Sequence, residues 1–581
     1  MAMSRRKDDV EYAWNESTMS QPLRRMRYDV RGEIVARAER LRGEGRDIIF
    51  TNIGNPQAVG QKPITYYRQV LALCDLPPEC GVDHPEVTRM YPPDAIARAK
   101  EYKAAIGPAG TGAYSHSQGI LAFREHVANF IEARDGHTAP CADDIFLTNG
   151  ASAGINHILQ ALIAGSNDAV MIPIPQYPIY SALITLLGGR QVGYELDESL
   201  GWAVTKSELE KQLRQARENG LTVKAMAIIN PGNPTGQVMD RDVLEIICRF
   251  CSDNQIVLLA DEVYQRNVYA PNKTFISARK IALETPGCEN LQLVSFHSTS
   301  KGLIGECGRR GGYMELHNIE SRVQENVHKL AATGLCSGLA DQVMTSLMVN
   351  PPKVEDESYE SFVAEEKTIY DGLVRRSHAL VQGLNAISGV TCEQAEGSIY
   401  AYPSIAIPQS ACIEADKRNQ TPDLMYVISL LEETGICMVP ASRFGQRTGT
   451  VGFRTTFMPP DDKLQEAFEG FARHHTLFCD RYSSSARHTL CNDDMIIRSP
   501  GMREKRSREG EESGHELCTR PIFTGRWKTN NNEWSEVKTR YAKIKCASCN
   551  TRIRTYCKCD KKVPMCTECY GIHISNCSNI N

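Results

Sequence analysis

The residues best suited to chemistry surround Lys301. This lysine follows an apolar run, residues 291–297, in the sequence SFHSTSKGLIGECGRRGGY, where serines, a threonine and glycines crowd the turn. A lysine amine held at such a position can form a Schiff base with a carbonyl compound. The serines, together with Arg309 and Arg310 downstream, could bind a phosphate group. An isolated lysine at a strand end is usually only solvated, but a phosphate site beside it indicates pyridoxal phosphate as a cofactor.

Two further polar clusters also follow apolar runs. In LADEVYQ, Asp261 ends the run 256–260, and Tyr264 lies three residues further on. A carboxylate there could keep a pyridine nitrogen protonated, which would make the ring an electron sink; its alternative role is to cap a helix. In INPGNPTGQ, which follows the run 223–230, Asn233 offers an amide donor to a phenolic oxygen or simply belongs to a tight loop.

Three more motifs complete the set of candidates. In LTNGASAGI, Ala151 and Ser152 begin a helix pattern whose free N–H groups could hold a phosphate. In PIPQYPIYSA, Tyr177 could stack on an aromatic cofactor or be a buried core residue. In VGFRTTFMP, Arg454 could pair with a substrate carboxylate, although a lone arginine is more often a surface residue.

Short apolar runs alternate with helical patterns between residues 92 and 316. The runs cover residues 144–148, 169–174, 223–230, 256–260 and 291–297. Runs of this length, several of them closed by Gly, Pro or Asp, predict buried parallel strands linked by helices. The predicted fold class is therefore α/β. Because the carboxyl ends of parallel strands meet at one edge of a sheet, the motifs that follow these runs are expected to line one ligand site.

The remainder of the chain predicts a second domain and a tail. Residues 317–482 contain helix patterns at 355–384 and 422–434 with short extended pieces between them, which is typical of a smaller α/β domain. The segment that follows residue 482 is rich in charge, Ser and Gly and has few large apolar residues. We expect it to be a disordered linker at residues 483–540.

The composition is that of a soluble globular protein with room for more than one core. The 581 residues carry a net charge of -4, and no apolar run approaches the roughly 18 residues that a membrane span needs. The N-terminus has no apolar secretion core and is acidic for a transit peptide, so the cytosol is the default compartment, with a mitochondrial one left open. Twelve of the 21 cysteines are scattered before residue 483 and are expected to be buried.

Taken in order, the motifs resemble the class I pyridoxal-phosphate aminotransferases of fold type I. They are GAYSHSQG, LTNGAS, PIPQYPIYSA, INPGNPTGQ, LADEVYQ, SFHSTSKG with RGGY, and FRTTF. The sequence FTNIGNPQAVGQKPITYYRQVLALC, residues 50–74, narrows the resemblance to the alanine aminotransferase branch. The similarity covers residues 26–482, after an N-terminal extension at 1–25. It implies a large domain at about 80–330 with a mostly parallel sheet, and a small domain at about 331–482 that the N-terminal segment completes.

The resemblance also implies a role for each candidate residue. Lys301, Asp261 and Tyr264 would be catalytic, with Lys301 forming the Schiff base and moving the proton. The implied cofactor contacts are Asp261 at the pyridine nitrogen, Asn233 and Tyr264 at the 3′ oxygen, Tyr177 on the ring, and Ala151, Ser152, Ser298 and Arg310 at the phosphate. Tyr114 would reach the phosphate from the partner subunit of a homodimer. Arg454 would bind the substrate α-carboxylate, and Gly54 and Asn233 would line the substrate pocket.

The sequence departs from the family pattern in three places. Arg309 stands where an aromatic residue is expected, so Arg309 and Arg310 compete for the phosphate, and the family spacing favours Arg310. The family's Gly-Ser-Gly-Phe-Gly loop is replaced by ASRFG at residues 441–445, which is expected to tighten or recharge the substrate entrance. Residues 329–342 lack the expected prolines, which affects the domain hinge rather than the chemistry.

The last 99 residues differ in kind from the rest. They hold 18 Lys and Arg against 11 Asp and Glu, a net charge of +7. The predicted metal ligands are Cys546, Cys549, Cys557, Cys559, Cys566, Cys569, His573 and Cys577, enough for two tetrahedral zinc sites. This segment, within a module at residues 541–581, is similar to the cysteine-rich zinc domain of piggyBac-type transposases. A basic module of this kind could contact nucleic acid, bind a protein or bind nothing.

The resemblance implies a homodimeric enzyme that interconverts L-alanine plus 2-oxoglutarate with pyruvate plus L-glutamate. Its partners would be small amino and 2-oxo acids, and no membrane is expected. Two alternatives stay open: a related transaminase, for example one that uses glyoxylate, and a nucleic-acid-binding regulator that keeps the cofactor fold as a sensor. The full set of Lys301, Asp261, Tyr264 and Arg454 argues against the regulator.

Overall fold

A computed structural model describes residues 13–28, 32–446 and 449–485, together with four two-residue strands in the C-terminal tail. The chain divides into two compact units, Met1–Gly501 and Met502–Asn581. The fold of the first unit contains every predicted catalytic and cofactor-binding residue. The predicted domain boundaries stay a prediction.

The strands of the first unit are short except in one sheet. They are β1 (Ile49–Phe50), β2 (Ile145–Leu147), β3 (Asp168–Ile174), β4 (Arg190–Glu195), β5 (Thr222–Ile229), β6 (Val257–Asp261), β7 (Leu293–Ser298), β8 (Gly312–His317), β9 (Val390–Thr391), β10 (Tyr400–Ala401), β11 (Ser404–Ile405), β12 (Ile436–Cys437), β13 (Val439–Pro440) and β14 (Phe453–Thr456).

The helices surround these strands. They are α1 (Gln21–Arg25), α2 (Glu33–Gly43), α3 (Thr65–Asp75), α4 (Pro93–Ile106), α5 (Leu121–Asp135), α6 (Ala151–Leu162), α7 (Ile179–Leu186), α8 (Lys206–Glu218), α9 (Arg241–Asn254), α10 (Ala278–Glu284), α11 (Ser321–Ala332), α12 (Leu339–Val349), α13 (Tyr359–Asn385), α14 (Gln409–Lys417), α15 (Pro422–Thr434) and α16 (Asp461–Ser485).

The large lobe is built on a seven-stranded sheet of order β2-β8-β7-β6-β5-β3-β4. Strand β8 is antiparallel to both of its neighbours, and the other neighbouring pairs run parallel. Every apolar run predicted as a strand lies in this sheet, so the α/β class with a mostly parallel sheet is confirmed. The carboxyl ends of β2, β3, β5, β6 and β7 therefore meet at one edge.

Two strands of the sheet are not among the predicted ones. Edge strand β4, RQVGYE, begins with two exposed residues and then alternates buried with partly buried positions, so it presents no continuous apolar run. Strand β8, GYMELH, contains the fully buried Glu315 and returns directly from the Lys301 turn. Both strands are defined by pairing with neighbours rather than by local hydrophobicity.

Helices cover both faces of the sheet, and each face has its own apolar core. Leu259 and Phe296 pack with α6 on one face, whereas Leu258 and Ala260 pack with α9 on the other. This alternation follows from the two-residue repeat of a strand and explains why the central strands are apolar on both sides.

The smaller lobe combines the N-terminal segment with the C-terminal helices and strands of the first unit. Strand β1 pairs in parallel with β12, with Ile49 opposite Ile436. Helix α2 adds Ile34 and Ala38 to the apolar core that α14, α15 and α16 share. The helix patterns predicted at 355–384 and 422–434 correspond to α13 and α15. The N-terminal segment thus completes the lobe that carries Arg454.

The cysteine expectation is wrong for half of the positions. Six of the twelve cysteines before residue 483 are buried, four are partly exposed, and Cys80 and Cys141 are exposed. The exposed pair lies in or beside short 3-10 turns, where no core is available to cover a thiol. In the described part of the chain, no helix combines the length and apolarity that crossing a membrane requires.

The second unit contributes two short antiparallel strand pairs. Trp527–Lys528 pairs with Trp534–Ser535, and Ile544–Lys545 pairs with Arg552–Ile553. The eight predicted zinc ligands and most of the predicted linker lie outside the described residues. Among the residues that are described, no group of three or more His, Cys, Asp or Glu side chains could hold a metal ion.

Candidate active site

A cavity of about 590 Å³ opens at the carboxyl edge of the sheet. All but one of the predicted catalytic, cofactor-binding and substrate-binding residues line it: Gly54, Ala151, Ser152, Tyr177, Asn233, Asp261, Tyr264, Ser298, Lys301, Arg310 and Arg454. The exception is Tyr114, which is 77 % exposed on the surface of this single chain. The volume suits a ligand of cofactor size.

Lys301 lies in the turn after β7 and points toward the smaller lobe. Its Nζ donates a hydrogen bond to the carbonyl oxygen of Gly54 at 2.7 Å. A Cβ atom built on Gly54 would overlap the Tyr400 hydroxyl and lie 2.7 Å from Lys301 Nζ. Only glycine leaves room for the lysine amine here, which gives a steric reason for the predicted place of Gly54 in the pocket.

Asp261 ends β6 at the bottom of the cavity. Its side chain is buried; Oδ2 accepts a long hydrogen bond of 3.5 Å from the Tyr180 hydroxyl, and Oδ1 has no partner among the described residues. Burial raises the pKa of this carboxyl to about 6, against a smaller opposing effect of hydrogen bonds and of Lys301. Asp261 does not begin a helix, so the helix-cap alternative is wrong. The free oxygen leaves this acid ready for a donor from outside the protein.

The opposite end of the cavity is built to hold an anion. Helix α6 begins at Ala151 after Gly150, whose φ of +76° is favourable for glycine, and no side chain caps this N-terminus. The Arg310 guanidinium lies beside Gly150 and donates to the carbonyl of Cys307 at 2.7 Å. A free helix N-terminus beside an arginine is suited to an anionic group such as a phosphate.

The two arginines that compete for the phosphate differ in position. Arg310 lines the cavity, whereas Arg309 is absent from the described cavity wall. Arg310 adopts a left-handed backbone with φ of +44°, an uncommon conformation for a non-glycine residue. Both arginines act on Asp341: burial raises the pKa of this carboxyl to about 6, and Arg309 and Arg310 oppose the rise.

Tyrosines form two walls of the cavity. Tyr177, after β3, is partly exposed and its hydroxyl lies 2.7 Å from the hydroxyl of Tyr28. Tyr264 is almost completely buried, and burial raises the pKa of its phenol well above the usual value. The cavity wall thus exposes one aromatic ring for contact and one phenol that stays neutral at physiological pH.

Arg454, on β14, is the most deeply buried cation of the cavity wall at 1 % exposure. Its Nη1 donates to Asn233 Oδ1 at 2.9 Å and its Nη2 donates to the carbonyl of Asn52 at 2.6 Å. Its Nε has no hydrogen-bond partner, and within the described residues no carboxylate forms an ion pair with it. A buried cation without a counter-ion is a site for an anionic ligand.

Sequence reasoning missed several residues of this cavity. Tyr28, Asn55, Cys307 and Tyr400 line it. Asn55 and Cys307 lie within motifs quoted above but received no role, and Tyr28 and Tyr400 carried no local signal. The ASRFG loop buries Phe444 under the Arg454 guanidinium at 4.8 Å, whereas Arg443 is not part of the described cavity wall. The described cavity wall therefore does not contain the positive charge of Arg443 that was expected at the substrate entrance.

The sequence pattern of the family "Aminotransferase class I and II" matches residues 85–471. The chain belongs to this aminotransferase family. The matched part of the aminotransferase contains the whole sheet and every cavity residue named above except Tyr28, Gly54 and Asn55, which the N-terminal segment supplies.

The chain matches curated relatives over nearly the whole length of those relatives. Alanine aminotransferase 2 of Panicum miliaceum is 46 % identical over 78 % of this chain and 96 % of its own. Alanine aminotransferase 1 of Homo sapiens is 42 % identical over 80 % of this chain and 95 % of its own. Glutamate–glyoxylate aminotransferase 1 of Arabidopsis thaliana is 44 % identical over 81 % of this chain and 98 % of its own.

Solved structures share the fold of the aminotransferase at low sequence identity. An aminotransferase from Escherichia coli has a TM-score of 0.63 at 23 % identity and covers 79 % of this chain and 98 % of its own. Alanine aminotransferase from Pyrococcus furiosus has a TM-score of 0.62 at 22 % identity, over 79 % of this chain and all of its own. These likenesses confirm the fold type I architecture of the first unit.

The raised pKa of Asp261 predicts a stability gain from removing its charge in the cofactor-free protein. The folded-state pKa, about 6, lies above the ordinary value of 3.8, so the charged carboxylate destabilises the fold progressively from about pH 4 and fully above about pH 6. Asp261→Asn should therefore be more stable than the parent at pH 8 by about 3 kcal/mol, and equal to it near pH 4. Urea unfolding of the cofactor-free proteins at several pH values measures this difference.

The exposed Asp253 on α9 offers a matched control. Asp253→Asn, a substitution at an exposed position, should change the free energy of unfolding at pH 8 by less than about 0.5 kcal/mol. An Asp261→Asn protein that is less stable than the parent at pH 8 would show that the carboxylate has a counter-charge in the cofactor-free fold.

Proposed function

We propose that this aminotransferase transfers the amino group of L-alanine to 2-oxoglutarate, giving pyruvate and L-glutamate. The observation that carries the proposal is the buried Arg454 without a carboxylate partner, close to a lysine amine in one cavity. An arginine of this kind suits the carboxylate that amino acids and 2-oxo acids share. The choice of alanine is supported by relatives named alanine aminotransferase at 42 % to 46 % identity.

The residues of the cavity fit pyridoxal phosphate, the cofactor of this family. Asp261 has a free buried oxygen for the pyridine N–H, and the N-terminus of α6 with Ser298 and Arg310 suits the phosphate. Tyr177 would cover one face of the ring, while Asn233 and Tyr264 would hydrogen-bond its 3′ oxygen. When bound, the cofactor supplies an aldehyde carbon for the amino group and a ring that accepts electrons.

Lys301 is the residue that would carry the proton between the substrate α-carbon and the C4′ atom of the cofactor. Its amine already lies at the boundary between the sheet edge and the smaller lobe, where Gly54 holds it through a carbonyl. Arg454 would orient the substrate through its carboxylate, and Asn233 would fix the guanidinium by accepting one of its N–H groups. Substrate carbon and lysine amine are thereby brought to a defined separation, which is a large part of the catalytic effect.

A homodimer would complete the site. Tyr114 is exposed and follows a glycine-rich 3-10 turn at Gly110–Gly112, and in this single chain it does not reach the cavity. As in the family that the motifs resemble, Tyr114 would contact the cofactor phosphate of a partner subunit. An exposed tyrosine with a hydroxyl donor is suited to such a shared site.

The tail is proposed to be a separate module. The spacing of its seven cysteines and His573 favours two zinc ions, and its charge of +7 would allow a contact with nucleic acid. Both proposals rest on the sequence. For the compartment we propose the cytosol. This stays a proposal, because a relative named as mitochondrial and one named without a location are about equally identical to this chain.

A second substrate pair is favoured by two relatives. Glutamate–glyoxylate aminotransferases 1 and 2 of Arabidopsis thaliana are each 44 % identical to this chain. Glyoxylate has the carboxylate that Arg454 would bind and a smaller substituent than pyruvate, so the cavity would admit it. Nothing in the cavity favours the nucleic-acid-binding regulator, whose cofactor site would not need an uncompensated arginine.

The function is tested by steady-state assay of the purified full-length protein loaded with cofactor. We expect kcat/KM for alanine with 2-oxoglutarate to fall in the ordinary enzymatic range, about 10⁴ M⁻¹s⁻¹ or higher. Glutamate with glyoxylate is the comparison pair. A kcat/KM for the glyoxylate pair more than about tenfold higher would replace alanine as the proposed substrate, and the absence of turnover with either pair would reject both.

Lys301→Ala should abolish transamination, because no other described side chain brings an amine into the cavity. The visible absorbance of the cofactor-loaded protein should change with it, since the bond to the lysine is lost. Lys367→Ala, which removes an exposed lysine from α13, is the control and should leave both unchanged. Retained alanine turnover in Lys301→Ala would contradict the assignment of the lysine.

The tail should be separable from the chemistry. Helix α16 ends at Ser485, and the residues that line the cavity all precede it. We expect a chain cut after Ser485 to keep the kcat and the oligomeric state of the full-length protein, and a chelator to leave the full-length rate intact. If either treatment removes activity while the cofactor stays bound, the tail belongs to the enzyme.

A further inference from the structure

Tyr400 is a buried residue of the cavity to which neither the sequence motifs nor the family pattern gave a role. It lies on β10 of the smaller lobe and is 2 % exposed. Strand β10 is antiparallel to β14, with Tyr400 opposite Thr456. Arg454 is two residues before Thr456, so it lies diagonally across from Tyr400 on the same face of the strand pair.

The ring of Tyr400 supports the substrate-binding arginine. The Arg454 guanidinium carbon lies 4.0 Å from the centre of the Tyr400 ring, closer than its 4.8 Å distance to Phe444. A desolvated guanidinium on an aromatic face is held by a cation–π interaction. This contact stabilises the buried charge without adding a carboxylate that would compete with the substrate.

The hydroxyl of Tyr400, at the edge of the ring, lies near the lysine. A Cβ atom built on Gly54 would meet both the Tyr400 hydroxyl and Lys301 Nζ, so the two polar groups flank the same point above Gly54. The ring edge of Tyr264 also faces Tyr400, with centroids 6.3 Å apart and planes at 78°. One side chain therefore joins the arginine, the lysine and the second tyrosine of the cavity.

We propose that Tyr400 is a positioning residue of the reaction: its hydroxyl orients the free amine of Lys301, and its ring fixes the Arg454 guanidinium. The proposal rests on the function proposed above. In this proposal the side chain of Tyr400 sets the position of the Lys301 amine relative to the Arg454 guanidinium.

Charged and polar groups surround the Tyr400 hydroxyl. The groups that face it are Arg454 from β14, Lys301 from the turn after β7, Tyr264 after β6 and Cys307 beyond the lysine turn. Burial alone would raise the pKa of Tyr400, but Arg454, Lys301 and a hydrogen bond with Tyr264 together outweigh burial, and the pKa is lowered. The Gly54 carbonyl can only accept from the lysine, whereas a phenol can also donate to a neutral amine.

The two functions of Tyr400 can be separated by substitution. Tyr400→Phe keeps the ring and removes the hydroxyl, so we expect kcat with alanine to fall on the order of 10² while KM changes less than about threefold. Tyr400→Leu removes both, so KM should also rise by about fivefold or more as Arg454 loses its aromatic support. If KM rises in Tyr400→Phe while kcat is unchanged, the hydroxyl acts on the substrate and not on the lysine.

A second readout follows the lysine itself, without turnover. The full-length protein stripped of cofactor is labelled with a limiting amine reagent at one fixed pH, and modification of Lys301 is measured by mass spectrometry. Without the phenol, Lys301 keeps only the Gly54 carbonyl as a hydrogen-bond partner, so its amine is held less firmly and its labelling rate should rise by about threefold or more in Tyr400→Phe. An unchanged or lower rate would overturn the proposal.

Tyr402, two residues along, provides the matched control. Its hydroxyl donates to Gln446 Oε1 at 2.6 Å and it does not line the cavity in the described structure. Tyr402→Phe should leave kcat, KM and Lys301 labelling unchanged; an equal loss there would show a structural effect and reject the role of Tyr400. Failure of the parent protein to use alanine would reject the proposed function only, since the labelling result does not depend on the substrate.

Discussion

Burying an ionised group without a counter-ion costs several kcal/mol, and this protein does so at the two ends of one cavity. The Asp261 carboxylate has one oxygen without a partner, and the Arg454 guanidinium has hydrogen bonds only to an amide and a carbonyl oxygen. A protein that needed only stability would have paired these groups with each other or replaced them. Their separation leaves two unmet charges of opposite sign, each matched to a different end of a zwitterionic or cofactor ligand.

The fold bears this cost because the two charges belong to different lobes. Asp261 is fixed by β6, whose neighbours are buried parallel strands, and Arg454 is fixed by β14 between two antiparallel strands. Segment 54–68 joins the lobes: Arg68 forms a two-point ion pair with Glu306, and Asn55 accepts from the Cys307 thiol. These contacts hold the Gly54 carbonyl next to the Lys301 turn, so the position of the lysine amine depends on chain segments far apart in sequence.

Much of the site could be predicted because strand ends can be recognised locally. Asp261, Asn233 and Lys301 each follow an apolar run, and parallel strands bring their ends together. The unmet charge of Arg454 could not be predicted, since it depends on which side chains are absent from a pocket formed by four segments. Tyr400 carries no local signal for the same reason: its role arises from the pairing of β10 with β14 and from the missing side chain of Gly54.

The sheet also separates the chemistry from a second polar cluster. Asp261 ends β6 and lines the cavity, whereas the next residue, Glu262, follows the strand, accepts a hydrogen bond from the Ala278 amide and lies near Arg134. Burial raises the pKa of Glu262 to about 7, and Arg134 only partly offsets it. The two adjacent buried carboxyls thus have different surroundings. Asp261 faces the cavity, where a cofactor can supply a hydrogen-bond donor, and Glu262 faces Arg134 and the start of α10, so a different group acts on the charge of each.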